Sequence, residues 1–234
     1  MNVVIHGTGS ISVGRSADLL RSQEVWVALW LVFVMTFLRA DAQEPRVNVT
    51  FAIAIHGGAG DELAQITGEE RDAHHKSLAA AIDVGRKILA EGGQAIDAVE
   101  QTIRVLEDDP LFNAGRGAVF TSIGTHELDA SVMDGRTGLG GAVAGVTTVK
   151  NPISLARLVM TETRHVLLMG TGAEKFADAM RDRTQIERVE NSYFSTELRR
   201  QEFIQEQKKQ AAKSHRGTVG CVVRDSHGNL AAGT

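Results

Sequence analysis

A chain of 234 residues with a formal net charge of −4 is long enough to bury a sizeable core and lacks the basic excess that nucleic-acid binding needs. Apolar content of 43% and charged content of 23% belong to a soluble globular protein. A single cysteine, Cys221, excludes an internal disulfide framework and a cysteine-based zinc site, while twenty-four glycines against three prolines point to tight turns and close backbone approaches.

Residues 25–38 carry no charge. The stretch is shorter than the ~20 residues of a membrane span and has the length of a signal-peptide apolar region. Ala40-Asp41-Ala42 follows with a small-x-small cleavage pattern, and Arg15 and Arg21 lie upstream, offset by Asp18 and Glu24. Residues 1–42 therefore read as a signal peptide or N-terminal anchor, the alternatives being a buried core helix or a start assigned too far upstream. A signal in use makes the protein secreted or periplasmic; otherwise it is cytoplasmic.

Phe51-Ala52-Ile53-Ala54-Ile55 reads as a short buried strand ending in His56-Gly57-Gly58-Ala59-Gly60. No Gly-Lys-Ser/Thr follows, so a phosphate-cradling loop is excluded. His56 is either a ligand or a histidine satisfied at a strand end. Leu78, Ala81, Ile82, Gly85, Ile88 and Leu89 form one helical stripe that Gly92-Gly93 ends. Ile96, Val99, Ile103 and Leu106 form a second, closed by Pro110. Asp97 and Glu100 on that helix read as a solvated face.

In Phe112-Asn113-Ala114-Gly115-Arg116-Gly117, an asparagine after a helix end can aim its amide at a reacting carbonyl or hold a strained turn. Residues 127–134 alternate as a strand, 135–138 turn, and 139–149 return as a second strand. Asp129 and Asp134 fall on opposite strand faces, which excludes joint acid-base work. A helix around 152–160, a strand at 165–169 and a helix at 172–180 complete a core over 51–180.

Between 181 and 216, fifteen of 36 residues are charged, nine basic and six acidic. Such a segment reads as a mobile linker, 181–217, that buries too little surface to offset its ordering entropy. Thr218 then opens a small-residue strand. If the bond after Gly217 is cut, Thr218 holds a free α-amine beside its own hydroxyl, a nucleophile and its base in one residue. An unperturbed α-amine titrates at about 8 and can accept that proton at neutral pH. Alone, a Gly-Thr pair opening a strand is ordinary. Asp225 to Asn229 form a turn, and a second strand begins at Leu230.

Four ordered motifs change its weight: His56-Gly57-Gly58, Phe112-Asn113-Ala114-Gly115-x-Gly117, residues 128–141, and Gly217-Thr218-Val219-Gly220 followed by Asp225-x-x-Gly228-Asn229-Leu230-Ala231-Ala232. Together, over 51–234, they resemble the plant-type asparaginases, also called isoaspartyl peptidases, which are N-terminal nucleophile hydrolases. The resemblance implies an α/β fold, a four-layer αββα sandwich made as a precursor that cleaves itself. Gly217 would end the α subunit, and 218–234 would start a β subunit that is incomplete here. Thr218 would attack L-asparagine and β-aspartyl peptides through an acyl-enzyme, Asn113 would lie beside it, and Gly57 would bear on self-cleavage.

The resemblance requires no cofactor, but implies a structural sodium ion on the backbone carbonyls of Leu106, Glu107, Asp109, Phe112, Ala114 and Arg116. It also implies small-molecule substrates and αβ heterodimers paired as (αβ)2. The family's second catalytic threonine, its substrate-gripping arginine and aspartate, and its oxyanion-hole Thr-Gly pair are expected past Thr234. Little activity is therefore expected of these residues alone. Two alternatives stand: a glycosylasparaginase, although that branch has aspartate where Gly217 stands, and a secreted non-catalytic remnant.

Overall fold

In Ala52–Gly57 and Leu128–Asp134 every second residue is buried, and the described strands form one seven-stranded sheet. The computed structural model describes residues 2–6, 51–58, 67–181, 186–209 and 219–234. These lie in a unit of Met1–His6 and Thr50–Thr234. The readings on 7–42, Ala59, Gly60, Gly217 and Thr218 fall outside the described residues.

The strands are β1 (Asn2–His6), β2 (Ala52–Gly57), β3 (Leu128–Asp134), β4 (Leu139–Val146), β5 (Leu167–Met169), β6 (Val219–Arg224) and β7 (Leu230–Gly233), in the order β1-β2-β6-β7-β3-β4-β5. Only β4 and β5 run parallel; every other neighbouring pair is antiparallel. β1 was not expected, because a five-residue run is too short to show a period. It pairs with β2 from Asn2 opposite His56 to His6 opposite Ala52.

Ile53 and Ile55 of β2, Val132 of β3, Val143 of β4 and Cys221 and Val223 of β6 are buried on one face. Three helices cover them: α1 (Gly68–Ala90), α2 (Ala95–Asp108) and α3 (Pro152–Glu162). Leu78, Ile82, Val99, Ile103, Ile153 and Val159 complete this core. Two further helices, α4 (Gly170–Met180) and α5 (Glu197–Lys209), follow α3 in the chain. The fold is mixed α/β, as expected. Among the described residues it comprises one sheet and its helical covering. Met133, Val222, Leu167 and Leu230 on the other face are each more than half exposed.

Three differences from the sequence reading have local causes. α1 begins at Gly68, ahead of its apolar stripe, because Thr67 and Glu70 form a reciprocal capping box. Glu100 is buried rather than solvated: Ser154 donates to it at 2.6 Å and Arg157 pairs with it at 2.5 Å, both from α3. Residues 186–209, read as part of a mobile linker, contain a 3-10 turn at Asn191–Phe194 and helix α5. Order there comes from a few deep contacts instead of an apolar stripe. Phe194 is fully buried, and Arg199, 7% exposed, donates from Nε to the Gly117 carbonyl at 2.6 Å.

Candidate active site

The loop after α2 is shaped by backbone groups folding back on the helix end. Asp109 Oδ1 accepts from the amide of Leu111 at 3.0 Å, starting the turn beyond Pro110. Arg116 N donates to the Glu107 carbonyl at 2.7 Å, and Ala118 N to that of Gly115 at 3.1 Å. Gly115 lies at φ 49° with the Glu107 backbone against its Cα, so a side chain there meets both strain and a wall. Within this turn, Asn113 Oδ1 accepts from Val119 N at 2.9 Å. That donor fixes which end of the amide is oxygen and sends Nδ2 to the opposite side.

Gly57 connects this loop to β6. In the β2–β6 register it stands opposite Val219, the residue after Thr218 in the chain. A Cβ on Gly57 would run into the Phe112 ring, with Cδ1 at 2.8 Å, and Leu78 Cδ2 would be at 3.0 Å. Glycine is thus required there by close approach, not by a left-handed backbone. Phe112 is followed directly by Asn113, and its ring takes the edge of His74 from α1 at 5.7 Å. His56 lies across β6, its Nε2 2.5 Å from where a Gly220 Cβ would stand. On the open sheet face a groove of about 650 Å³ is lined by His56, Ser131, Gly220, Val222 and Thr234, among others. Thr234 Oγ1 donates to the Val219 carbonyl at 2.5 Å. Gly57 of β2 and Phe112 of the Asn113 loop therefore meet beside Val219, the first residue of β6.

The residues expected to hold an ion are those of this same loop. The Glu107 carbonyl accepts from Arg116 N, and that of Asp109 accepts from Phe112 N at 3.4 Å. The carbonyl oxygens of Pro110 and Phe112 converge beside Gly117, 2.6 and 2.7 Å from where its Cβ would stand. Among the described residues no cluster of three or more His, Cys, Asp or Glu could hold a metal. Cys221 is no rival nucleophile: burial pushes its thiol up to about 12.

Glu107 is a buried carboxyl in the wall of the loop. Its Oε1 accepts from Ile153 N, in the first turn of α3, at 3.0 Å, and its Oε2 has no hydrogen-bond partner among the described residues. Burial raises it to about 8 from an ordinary 4.5. Unfolding therefore releases a proton between those two values. The stability that this group contributes is full below pH 4.5 and declines as pH rises towards 8. Replacing Glu107 with glutamine keeps the acceptor for Ile153 and removes the ionisation. Urea unfolding at pH 5 and pH 9 should show the variant gaining roughly 2 kcal/mol or more over the wild type at the higher pH. A difference independent of pH would contradict this.

Sequence reasoning missed His126 and Arg199. His126 is 1% exposed, and its Nδ1 lies 3.1 Å from the Val119 carbonyl and its Nε2 2.9 Å from Ser195 Oγ. Burial lowers its pKa below the ordinary histidine value, so the ring is held neutral. A lone histidine before a strand gives no sequence signal of such partners, and neither does one arginine among many charges.

Residues 49–234 match the family model Asparaginase_2, described as asparaginase. The chain is 46% identical over 194 residues to the isoaspartyl peptidase of Escherichia coli (strain K12), an alignment covering 78% of this chain and 59% of that protein. It is 40% identical over 193 residues to the isoaspartyl peptidase/L-asparaginase of Mus musculus, covering 80% and 57%. The corresponding protein of Homo sapiens is 38% identical over 187 residues, covering 78% and 58%. The chain thus spans about three fifths of the length of the curated relatives it matches.

Proposed function

The chain belongs to the Asparaginase_2 family, and on that premise we propose that it supplies the nucleophile of an amidohydrolase acting on L-asparagine and β-aspartyl peptides. The single observation that supports this best is the pairing of Gly57 with Val219 beside Phe112. It draws the Asn113 turn towards the strand that Thr218 precedes.

In self-cleavage Thr218 Oγ attacks the Gly217 carbonyl, the C–N bond breaks, and the nitrogen takes the hydroxyl proton. Water then hydrolyses the resulting ester, leaving a Gly217 carboxylate and a free Thr218 amine. In turnover that amine accepts the Oγ proton as Oγ bonds to the substrate's side-chain carbonyl. It passes the proton to the departing nitrogen, and water releases aspartate from the acyl-enzyme. The Asn113 amide, oriented by Val119, is suited to holding the nucleophile or the carbonyl in line. Neither step requires a cofactor.

The backbone oxygens of the 106–116 loop fit a hard monovalent cation, whose role would be to stiffen the Asn113 turn. The melting midpoint should accordingly stand a few degrees higher in sodium chloride than in tetramethylammonium chloride of equal ionic strength. Equal midpoints would remove the ion from the account. Assembly as paired αβ heterodimers and export through residues 1–42 belong to the same proposal.

A chimera carrying residues 51–234, completed by the remaining part of the Escherichia coli relative, tests the reading. It should release aspartate from a β-aspartyl dipeptide faster than from a glycosylated asparagine, and only with Thr218 present. Release that ignores Thr218, or that favours the glycosylated substrate, would overturn the reading.

A further inference from the structure

We propose that His126 is a positioning residue that sets the orientation of Asn113 by holding the carbonyl end of Val119, whose amide end holds Asn113. The catalytic value of that orientation rests on the function proposed above; the positioning itself rests on geometry. Val119 N donates to Asn113 Oδ1 at 2.9 Å, and the carbonyl of the same residue faces His126 Nδ1 at 3.1 Å. A carbonyl can only accept, so Nδ1 carries the ring proton and Nε2 accepts from the Ser195 hydroxyl at 2.9 Å. The imidazole thus forms a rigid brace between the Asn113 turn and the segment leading into α5.

The ring itself has little freedom. Phe120 lies 4.2 Å from it, centroid to centroid, and Phe194 meets it edge-on at 6.2 Å. The backbone is gripped from both sides by Asn191, whose Oδ1 accepts from His126 N at 3.0 Å and whose Nδ2 donates to His126 O at 2.9 Å. The same incoming segment holds the turn at a second point. Gly117 N donates to the Phe194 carbonyl at 3.0 Å, and Arg199 Nε donates to Gly117 O at 2.6 Å. The turn is therefore fastened at Gly117 and Val119 by residues that approach from 194–199 and from the start of β3. An error at the Val119 carbonyl passes to the Asn113 amide, because only the Val119 Cα separates the carbonyl that His126 faces from the N–H that donates to Asn113.

Two substitutions separate this role from space-filling. In His126→Asn the side-chain amide nitrogen falls near the place of Nδ1 and can still donate to the Val119 carbonyl. In His126→Gln the amide reaches the place of Nε2 and that donor is lost. Exchange of the Val119 amide, followed by NMR in the intact chain, should quicken about tenfold in the glutamine variant and stay near wild type in the asparagine variant. Scission at 217/218 should follow the same order. Equal exchange in the two variants overturns the proposal. So does a ring ¹⁵N spectrum of the wild type placing the proton on Nε2, a measurement that needs no variant. If exchange follows the stated order while no chain is cleaved, the positioning role stands and the enzymatic reading fails.

Discussion

Replacing Gly57 with alanine should destabilise the protein by about 3 kcal/mol and displace the Phe112 ring, since overpacking a filled core typically costs ~1–3 kcal/mol or more. The added methyl group would occupy space already held by that ring and by Leu78. β2 cannot retreat, because Gly57 is paired with Val219 on one side and β2 carries β1 on the other. Phe112 must therefore move, and it takes the adjoining Asn113 with it. Scission and hydrolysis should both fall, in proportion to how far the turn is displaced. Phe112→Leu removes the ring atoms that collide and should rescue the alanine variant. A double-mutant cycle read by denaturant unfolding should give a coupling of at least 1 kcal/mol, outside the ~0.5 kcal/mol within which independent sites add. Strict additivity would show that the contact is not what makes glycine necessary.

Thr218→Ala should have the larger effect on chemistry. Without the hydroxyl there is no attack on the Gly217 carbonyl, so no amine is freed and the second reaction loses both its nucleophile and its base. In the completed chimera the variant should remain one polypeptide, with hydrolysis down by at least ~10⁴, the scale seen when a covalent nucleophile is deleted. Thr218→Ser should keep both reactions at a reduced rate, because the hydroxyl remains. Loss of hydrolysis with scission intact would separate the two roles and require a different attacking group.

The elements that position this site differ in how plainly the sequence announces them. β2, β3 and β4 were legible because alternation or an unbroken apolar run marks a half-buried strand. The stripes of α1 and α2 were equally plain, and the turn at Asp225 follows from side-chain bonding to the amides of His227 and Asn229. α5 was hidden because its inward contacts are few and mixed in kind: buried Arg199 on a carbonyl, and half-buried Phe203 against Phe120 at 5.1 Å. Glu100 looked solvated because nothing in α2 shows that Ser154 and Arg157 will lie over it.

The site divides in the same way. The Asn113 turn and Gly57 stood out as motifs, but the reason for glycine at 57 is a ring more than fifty residues away in the chain. His126 was illegible as a site residue, and Glu107 was named only for its backbone carbonyl; what burial does to the His126 ring and the Glu107 carboxyl is nothing composition reveals.

Intact-mass spectrometry of the purified chain tests the central claim most directly. If Thr218 attacks its own preceding carbonyl, two fragments should appear, and the second should begin at Thr218 with a free amine. A single unbroken chain, stable after prolonged incubation at neutral pH, would contradict the account.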